Sequence, residues 1–183
     1  MAMHKQVRVC GFGGQGVILI GAILGYAGMI DGKWVAGADS YGVQARGGYC
    51  RSDIVLSDVP IVYPHVLEAD VLVALSQDAY DKYTGELAPD AVVLYEDQFV
   101  KPRPLGGAAQ VGIPATAIAL CKLDQKQAAN MVMLGATVEI TKVVEKQALF
   151  EAVRANIAPR HRALTMKALE EGFKIGSERC PVR

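Results

Sequence analysis

Gly11-Phe12-Gly13-Gly14-Gln15-Gly16 stands between a short strand-like segment, Gln6–Cys10, and an unbroken apolar run from Val17 to Ile30. Strand, glycine loop and helix in that order open the α/β nucleotide-binding folds. Glycine permits φ > 0 in the turn and lets a ligand or a neighbouring backbone come within contact distance. The helix behind it turns its free N–H groups and positive dipole end toward that gap, which suits an anionic group. No charged side chain occurs from Gly16 to Ile30, so the helix is expected to be buried all round. It falls short of the about 20 apolar residues that a membrane span needs. Gly21, Gly25 and Gly28 share one helical face, which predicts close approach by another element along it.

A chain of 183 residues, 51% of them hydrophobic, suffices for a single α/β domain over positions 1–183. Formal charge balances, with 19 Lys and Arg against 19 Asp and Glu. That gives no electrostatic reason for a nucleic acid or a membrane surface as partner. Met1–Arg8 is polar, and no signal peptide is expected. The four cysteines, Cys10, Cys50, Cys121 and Cys180, form no CxxC pair, and the three histidines are equally scattered. Neither a zinc ribbon nor an iron–sulfur cluster is written locally, so no metal site is assigned. Free thiols in a cytoplasmic protein are the expectation.

The expected architecture is a Rossmann-like, mostly parallel sheet flanked by helices, with an inserted β-hairpin. Val7–Cys10 reads as the first strand, Gly14–Ile30 as the first helix and Lys33–Ala38 as the second strand. Residues 39–48, from Asp39 to Gly48, are polar and glycine-rich and read as an ordered loop. Tyr49–Leu56 alternates with period 2, as a half-buried strand does. Val59–Tyr63 is expected to return alongside it as the second arm of the hairpin. Val71–Leu75, Ala91–Tyr95 and Gln110–Ile113 read as further strands, and Gln77–Tyr83 as a short helix capped by Ser76. The last third is helical over Asp124–Thr137, Val144–Ile157 and Arg160–Gly176.

Gly11, Gly13 and Gly16 satisfy the three-glycine dinucleotide pattern, and Asp39 stands near the about 20 residues beyond it where a ribose-binding acid is needed. An NAD- or FAD-binding oxidoreductase is therefore one reading. Against it, Asp39 runs into the glycine-rich loop rather than a second βα unit. Val17 occupies the place of the phosphate-binding Lys of a P-loop. Gln15 puts an amide at the mouth of the loop, able to donate and accept or simply to face water. Arg46-Gly47-Gly48 sets a guanidinium beside accessible backbone, which serves anion recognition or a salt bridge equally. Asn130 is an amide in an apolar helix and needs a partner. No catalytic triad, paired carboxylates or nucleophile–base couple is visible, so no catalytic residue is assigned.

Gly11–Val17, Ser40-Tyr41-Gly42, Arg46-Gly47-Gly48, the run from Asp70 to Gln77 and the run from Ala129 to Gly135 occur in that order. Together they resemble the γ subunit of 2-oxoacid:ferredoxin oxidoreductases over nearly the whole chain. The 2-oxoglutarate branch is nearest, with pyruvate, ketoisovalerate and indolepyruvate relatives further off. Many members of that branch carry Pro-Glu after Tyr-Gly where this chain has Val43-Gln44.

The resemblance implies a subunit that is inactive alone. The complex oxidatively decarboxylates a 2-oxoacid onto coenzyme A and passes the electrons to ferredoxin. Thiamine diphosphate and iron–sulfur clusters would sit on α, β and δ-type partner subunits. The γ piece would complete the assembly and assist coenzyme A access, and a homodimer is a state open to the isolated chain; a purely structural assembly role is the rival. Gly11, Gly13, Gly14, Gln15, Gly16, Ser40, Tyr41, Gly42, Arg46, Gly47, Gly48 and Asn130 are the residues expected to face coenzyme A or a neighbouring subunit.

Overall fold

A computed structural model describes residues 3–41 and 48–179. Its centre is a six-stranded sheet: β1 (His4–Phe12), β2 (Trp34–Tyr41), β3 (Tyr49–Ser57), β4 (Ala69–Ala74), β5 (Leu87–Glu96) and β6 (Ala109–Ile113), in the spatial order β2-β3-β1-β4-β5-β6. β1, β4, β5 and β6 run parallel, while β3 is antiparallel to both β1 and β2. The expected class is borne out: an α/β domain built on a mostly parallel sheet.

Alternation along each strand divides the core in two. Val7 and Val9, with Val71 and Val73, meet a layer made by α1 (Val17–Ile30), α3 (Ala115–Leu123), α4 (Ala129–Thr141), α5 (Lys146–Asn156) and α6 (Pro159–Glu178). Cys10, Leu72, Ala74 and Val93 meet α2 (Gln77–Tyr83) on the opposite face. Ser76 caps α2 as expected, its hydroxyl accepting from the Ala79 N–H at 3.4 Å.

The hairpin exists, but with a different second arm. Tyr49–Ser57 pairs with β2 along one edge, and its other edge pairs with β1 from His4↔Ser57 to Phe12↔Tyr49. Both edges are taken, so nothing is left for Val59–Tyr63, which is irregular. Pro60 and Pro64 lack the N–H groups a ladder needs. The same pairing buries β3 from Ser52 to Ser57 on both faces, so it is an interior strand rather than a half-exposed one.

Helix α1 also departs from expectation. One side packs on the sheet, but Leu19, Tyr26 (46% exposed), Met29 (60%) and Ile30 face solvent. Its glycines are unequal. A Cβ on Gly21 would lie 2.0 Å from Ser52 Oγ, and one on Gly28 2.5 Å from Leu56 Cδ2, whereas at Gly25 the nearest atom, Val35 Cγ1, is 3.6 Å away. Close approach is therefore made at Gly21 and Gly28, and Gly25 has room for a methyl group.

Candidate functional site

The glycine loop sits at the carboxyl end of β1, where α/β sheets bind their ligands. Gly14 and Gly16 take left-handed conformations, with φ of 99° and 78°. Gly16 is fixed twice over, because a Cβ there would also lie 2.1 Å from Asn130 Nδ2. Asn130, at the start of α4, thus finds its place against the loop. Its Oδ1 accepts from the Met131 N–H at 2.8 Å.

Gln15 lines the mouth of the loop with both ends of its amide hydrogen-bonded to backbone. Its Oε1 accepts from the Phe12 N–H at 2.6 Å, and its Nε2 donates to the Leu75 carbonyl at 2.9 Å. The amide ties the end of β1 to the residue that follows β4.

The loop borders a cavity of about 470 Å³. Gly14, Gln15, Gly16 and Leu19 form one wall, Asn130 and Lys126 another, and Glu96, Phe99 and Thr116 close it. Gly16 is the N-cap of α1, and no side chain caps the helix. Its first-turn N–H groups have no intrahelical partner, so the wall at the loop carries a partial positive charge. Lys126, on a single 3₁₀ turn before α4, adds a full one at the rim.

Glu96 is the acid of the cavity, 3% exposed at the end of β5. Its Oε2 accepts from both the N–H and the hydroxyl of Thr116, each at 2.9 Å. Burial pushes its carboxyl above the ordinary glutamate range, and the hydrogen bonds from Thr116 and Gln98 pull it only part of the way back. A carboxyl with a raised folded-state pKa holds its proton more tightly folded than unfolded. Its stabilising contribution is full below the unfolded value and is lost as pH rises through the folded one. Glu96→Gln keeps an oxygen for Thr116. It is expected to gain stability over the wild type as pH rises above the ordinary glutamate range, as read in denaturant titrations. An unchanged pH slope would show Glu96 to be ionised as freely folded as unfolded.

Of the other expected site residues, Gly11 is the next-to-last residue of β1, beneath Gln15, and Gly13 donates its N–H to the Gly48 carbonyl at 3.0 Å. That bond, with the Phe12 and Tyr49 rings 5.9 Å apart, brings Gly48 and Tyr49 to the glycine loop. Gly42, Arg46 and Gly47 lie outside the described residues. Ser40 and Tyr41 belong to β2 rather than to a loop, at the exposed outer edge of the sheet, and neither lines the cavity.

The dinucleotide reading loses its acid. β3 lies between β1 and β2, and Asp39 is spent on the Ser52 hydroxyl at 2.6 Å, so it stands two strands from the glycine loop. Glu96, Thr116, Phe99 and Lys126 were missed in the sequence. The signal for Glu96 was present, as the last residue of a buried strand on the ligand-binding edge, but the strand order that makes it count was not.

A family model, pyruvate ferredoxin/flavodoxin oxidoreductase, matches residues 6–175. The chain is 38% identical over 179 residues to the 2-oxoglutarate synthase subunit KorC of Methanocaldococcus jannaschii, covering 96% of each. The γ subunit of a keto/oxoacid ferredoxin oxidoreductase from Geobacter sulfurreducens superposes with a TM-score of 0.84 at 34% identity, over 96% of this chain and 99% of that one. The 2-oxoglutarate:ferredoxin oxidoreductase of Magnetococcus marinus, solved with 2-oxoglutarate, coenzyme A and succinyl-CoA bound, shares the fold with a TM-score of 0.87 at 21% identity, over 98% of this chain and 32% of that one. With family model, sequence identity and fold in agreement over nearly the whole chain, the chain belongs to the pyruvate ferredoxin/flavodoxin oxidoreductase family, among the γ-type subunits of 2-oxoacid oxidoreductase complexes.

Proposed function

We propose that this subunit completes a 2-oxoglutarate:ferredoxin oxidoreductase in the cytoplasm and guides coenzyme A to the active centre. The observation that carries the reading is the cavity under the glycine loop, where the uncapped end of α1 and Lys126 meet. Coenzyme A is an anion through its phosphates, and helix N-termini with a nearby ammonium attract such groups. The 38% identity to the 2-oxoglutarate synthase subunit supports 2-oxoglutarate as the 2-oxoacid. Thiamine diphosphate, iron–sulfur clusters and the contact with ferredoxin belong to α, β and δ-type partners. Among the described residues no three metal-ligating side chains converge. The uncharged, outward-facing side of α1 at Tyr26, Met29 and Ile30, away from the cavity, suits burial against one of those partners.

The test uses the reconstituted complex. Leu19→Glu places a carboxylate at the cavity wall and is expected to raise KM for coenzyme A about tenfold or more, by repulsion and lost volume, with KM for the 2-oxoacid unchanged. Normal coenzyme A kinetics in an intact Leu19→Glu complex would overturn the reading. Arg46→Ala extends it to the hairpin: a raised KM for coenzyme A assigns Arg46 to the ligand, and failed assembly with normal kinetics makes it an interface residue.

A further inference from the structure

Three cations gather on one aromatic ring on the α2 side of the sheet. Arg8 Cζ, Arg51 Cζ and Lys82 Nζ lie 5.0, 5.7 and 5.1 Å from the centroid of Tyr83. Lys82 Nζ also lies 4.9 Å from the centroid of Tyr49. Their charges are unequally answered. Arg8 engages both oxygens of Asp53, at 2.8 and 3.1 Å, and pairs with Glu86 as well. Asp53 is thereby used up. Arg51 Nε stands 3.3 Å from Asp53 Oδ2 yet is buried with no hydrogen-bond partner. Lys82 takes part in no ion pair among the described residues. Three cations against two carboxylates leave positive charge at the mouth of this cluster, on Arg51 and Lys82.

Phe12 and Tyr49 link the cluster to the cavity side of the sheet edge. Tyr49 is 46% exposed and its ring stacks obliquely on Phe12. Phe12 lines a second hollow of about 320 Å³, which shares Gln15, Leu75 and Phe99 with the first. An extended molecule whose one end occupied the glycine-loop cavity would therefore run past Phe12 to Tyr49 and Lys82. A guanidinium fork beside a mobile ammonium, backed by aromatic rings, is suited to a terminal phosphate.

We propose that Arg51 and Lys82, held against Tyr83 and Tyr49, form a phosphate-binding subsite for the nucleotide end of the ligand, with the 3′-phosphate of a 3′-phosphorylated adenosine as the group it takes. This rests on the coenzyme A reading above and names which part of the ligand lies where. The cations are partly exposed, so the attraction weakens with salt.

Calorimetric titration of the full chain at low ionic strength tests it, with adenosine 3′,5′-bisphosphate and adenosine 5′-monophosphate as probes. The bisphosphate is expected to bind at least about tenfold tighter, the worth of one charge-assisted contact. Lys82→Gln and Arg51→Gln should each reduce that preference, and neither side chain is part of the core. Equal binding of the two probes, or a preference that survives both substitutions, overturns the subsite. Coenzyme A kinetics of the complex separate this from the parent reading. A raised KM in Leu19→Glu beside a normal one in Lys82→Gln removes the subsite alone, whereas normal values in both remove the two together.

Discussion

Replacing Asp53 by alanine is expected to cost about 3–5 kcal/mol of folding stability, the scale for stranding one member of a buried ion pair. Arg8 is 2% exposed in the middle of β1, and Asp53 is 3% exposed opposite it on β3, in register. Arg8 donates to both Asp53 oxygens and to the Val66 carbonyl at 3.0 Å, with Glu86 as its remaining partner. Glu86 is half exposed, so it cannot replace the charge that Asp53 supplies inside the sheet. Chemical denaturation should show the loss as a lower midpoint at unchanged slope. The double variant Arg8→Met with Asp53→Leu removes the two buried charges and leaves the partly exposed Arg51 and Glu86 in place. It should recover most of the stability, because a buried pair gains little over well-packed apolar side chains. Should the single variant be as stable as the wild type, the pair is not buried in solution. A double variant as weak as the single one would mean that its geometry, rather than its charge balance, holds β1 to β3.

Gly172→Ala is expected to destabilise although alanine is the better helix former by about 1 kcal/mol. Helices α4 and α6 touch through their backbones. A Cβ on Gly172 would lie 2.2 Å from the Val132 carbonyl oxygen, 2.8 Å from Gly135 Cα and 2.9 Å from the Ala136 nitrogen. Gly135 meets Leu169 and Gly172 in the same way from the other side, with the Leu169 oxygen 2.4 Å from its would-be Cβ. Backbone cannot swing aside as a side chain does, so the helices must separate, and their shared core around Leu134, Val138, Leu169 and Phe173 loosens with them. A net cost of about 1–3 kcal/mol follows from overpacking of this kind, or a fall in Tm of several degrees for a domain of this size. Gly25→Ala is the internal control. The nearest atom to its Cβ is 3.6 Å away, an ordinary contact, so the propensity gain remains and Tm should rise. If the two substitutions shift Tm in the same direction, helix propensity rather than contact at the glycines decides, and the packing account of α4 and α6 is wrong.

Much of this protein could be read from its chain alone. The strand, glycine loop and helix at the start were legible because the signals are local: alternation before Gly11, glycines through Gly16, and an apolar run after it. The same holds for the Ser76 cap and for the helices of the last third, whose boundaries moved by only a few residues. Five motifs in a fixed order carried the family, and this needed no geometry at all. The glycine loop and Asn130 are both legible as polar or glycine breaks in apolar surroundings, and the fold sets Asn130 against Gly16.

What the sequence left open was set by pairings between distant segments. Tyr49–Ser57 carries the same alternation whether its partner is Val59–Tyr63 or β2 and β1 together, and only the assembled sheet selects the second arrangement. That one choice buries Asp53 beside Arg8, moves Asp39 away from the glycine loop, and brings Gly48 onto Gly13. Gln15 shows the same division on a smaller scale. Its position in the loop was plain, but its role as a tie between Phe12 and Leu75 depends on β4 lying beside β1. Period and composition decide which segments become strands and helices, since those are properties of neighbouring residues. Strand order decides which carboxylate is buried and which lines a cavity, since burial and charge are properties of what has been brought alongside.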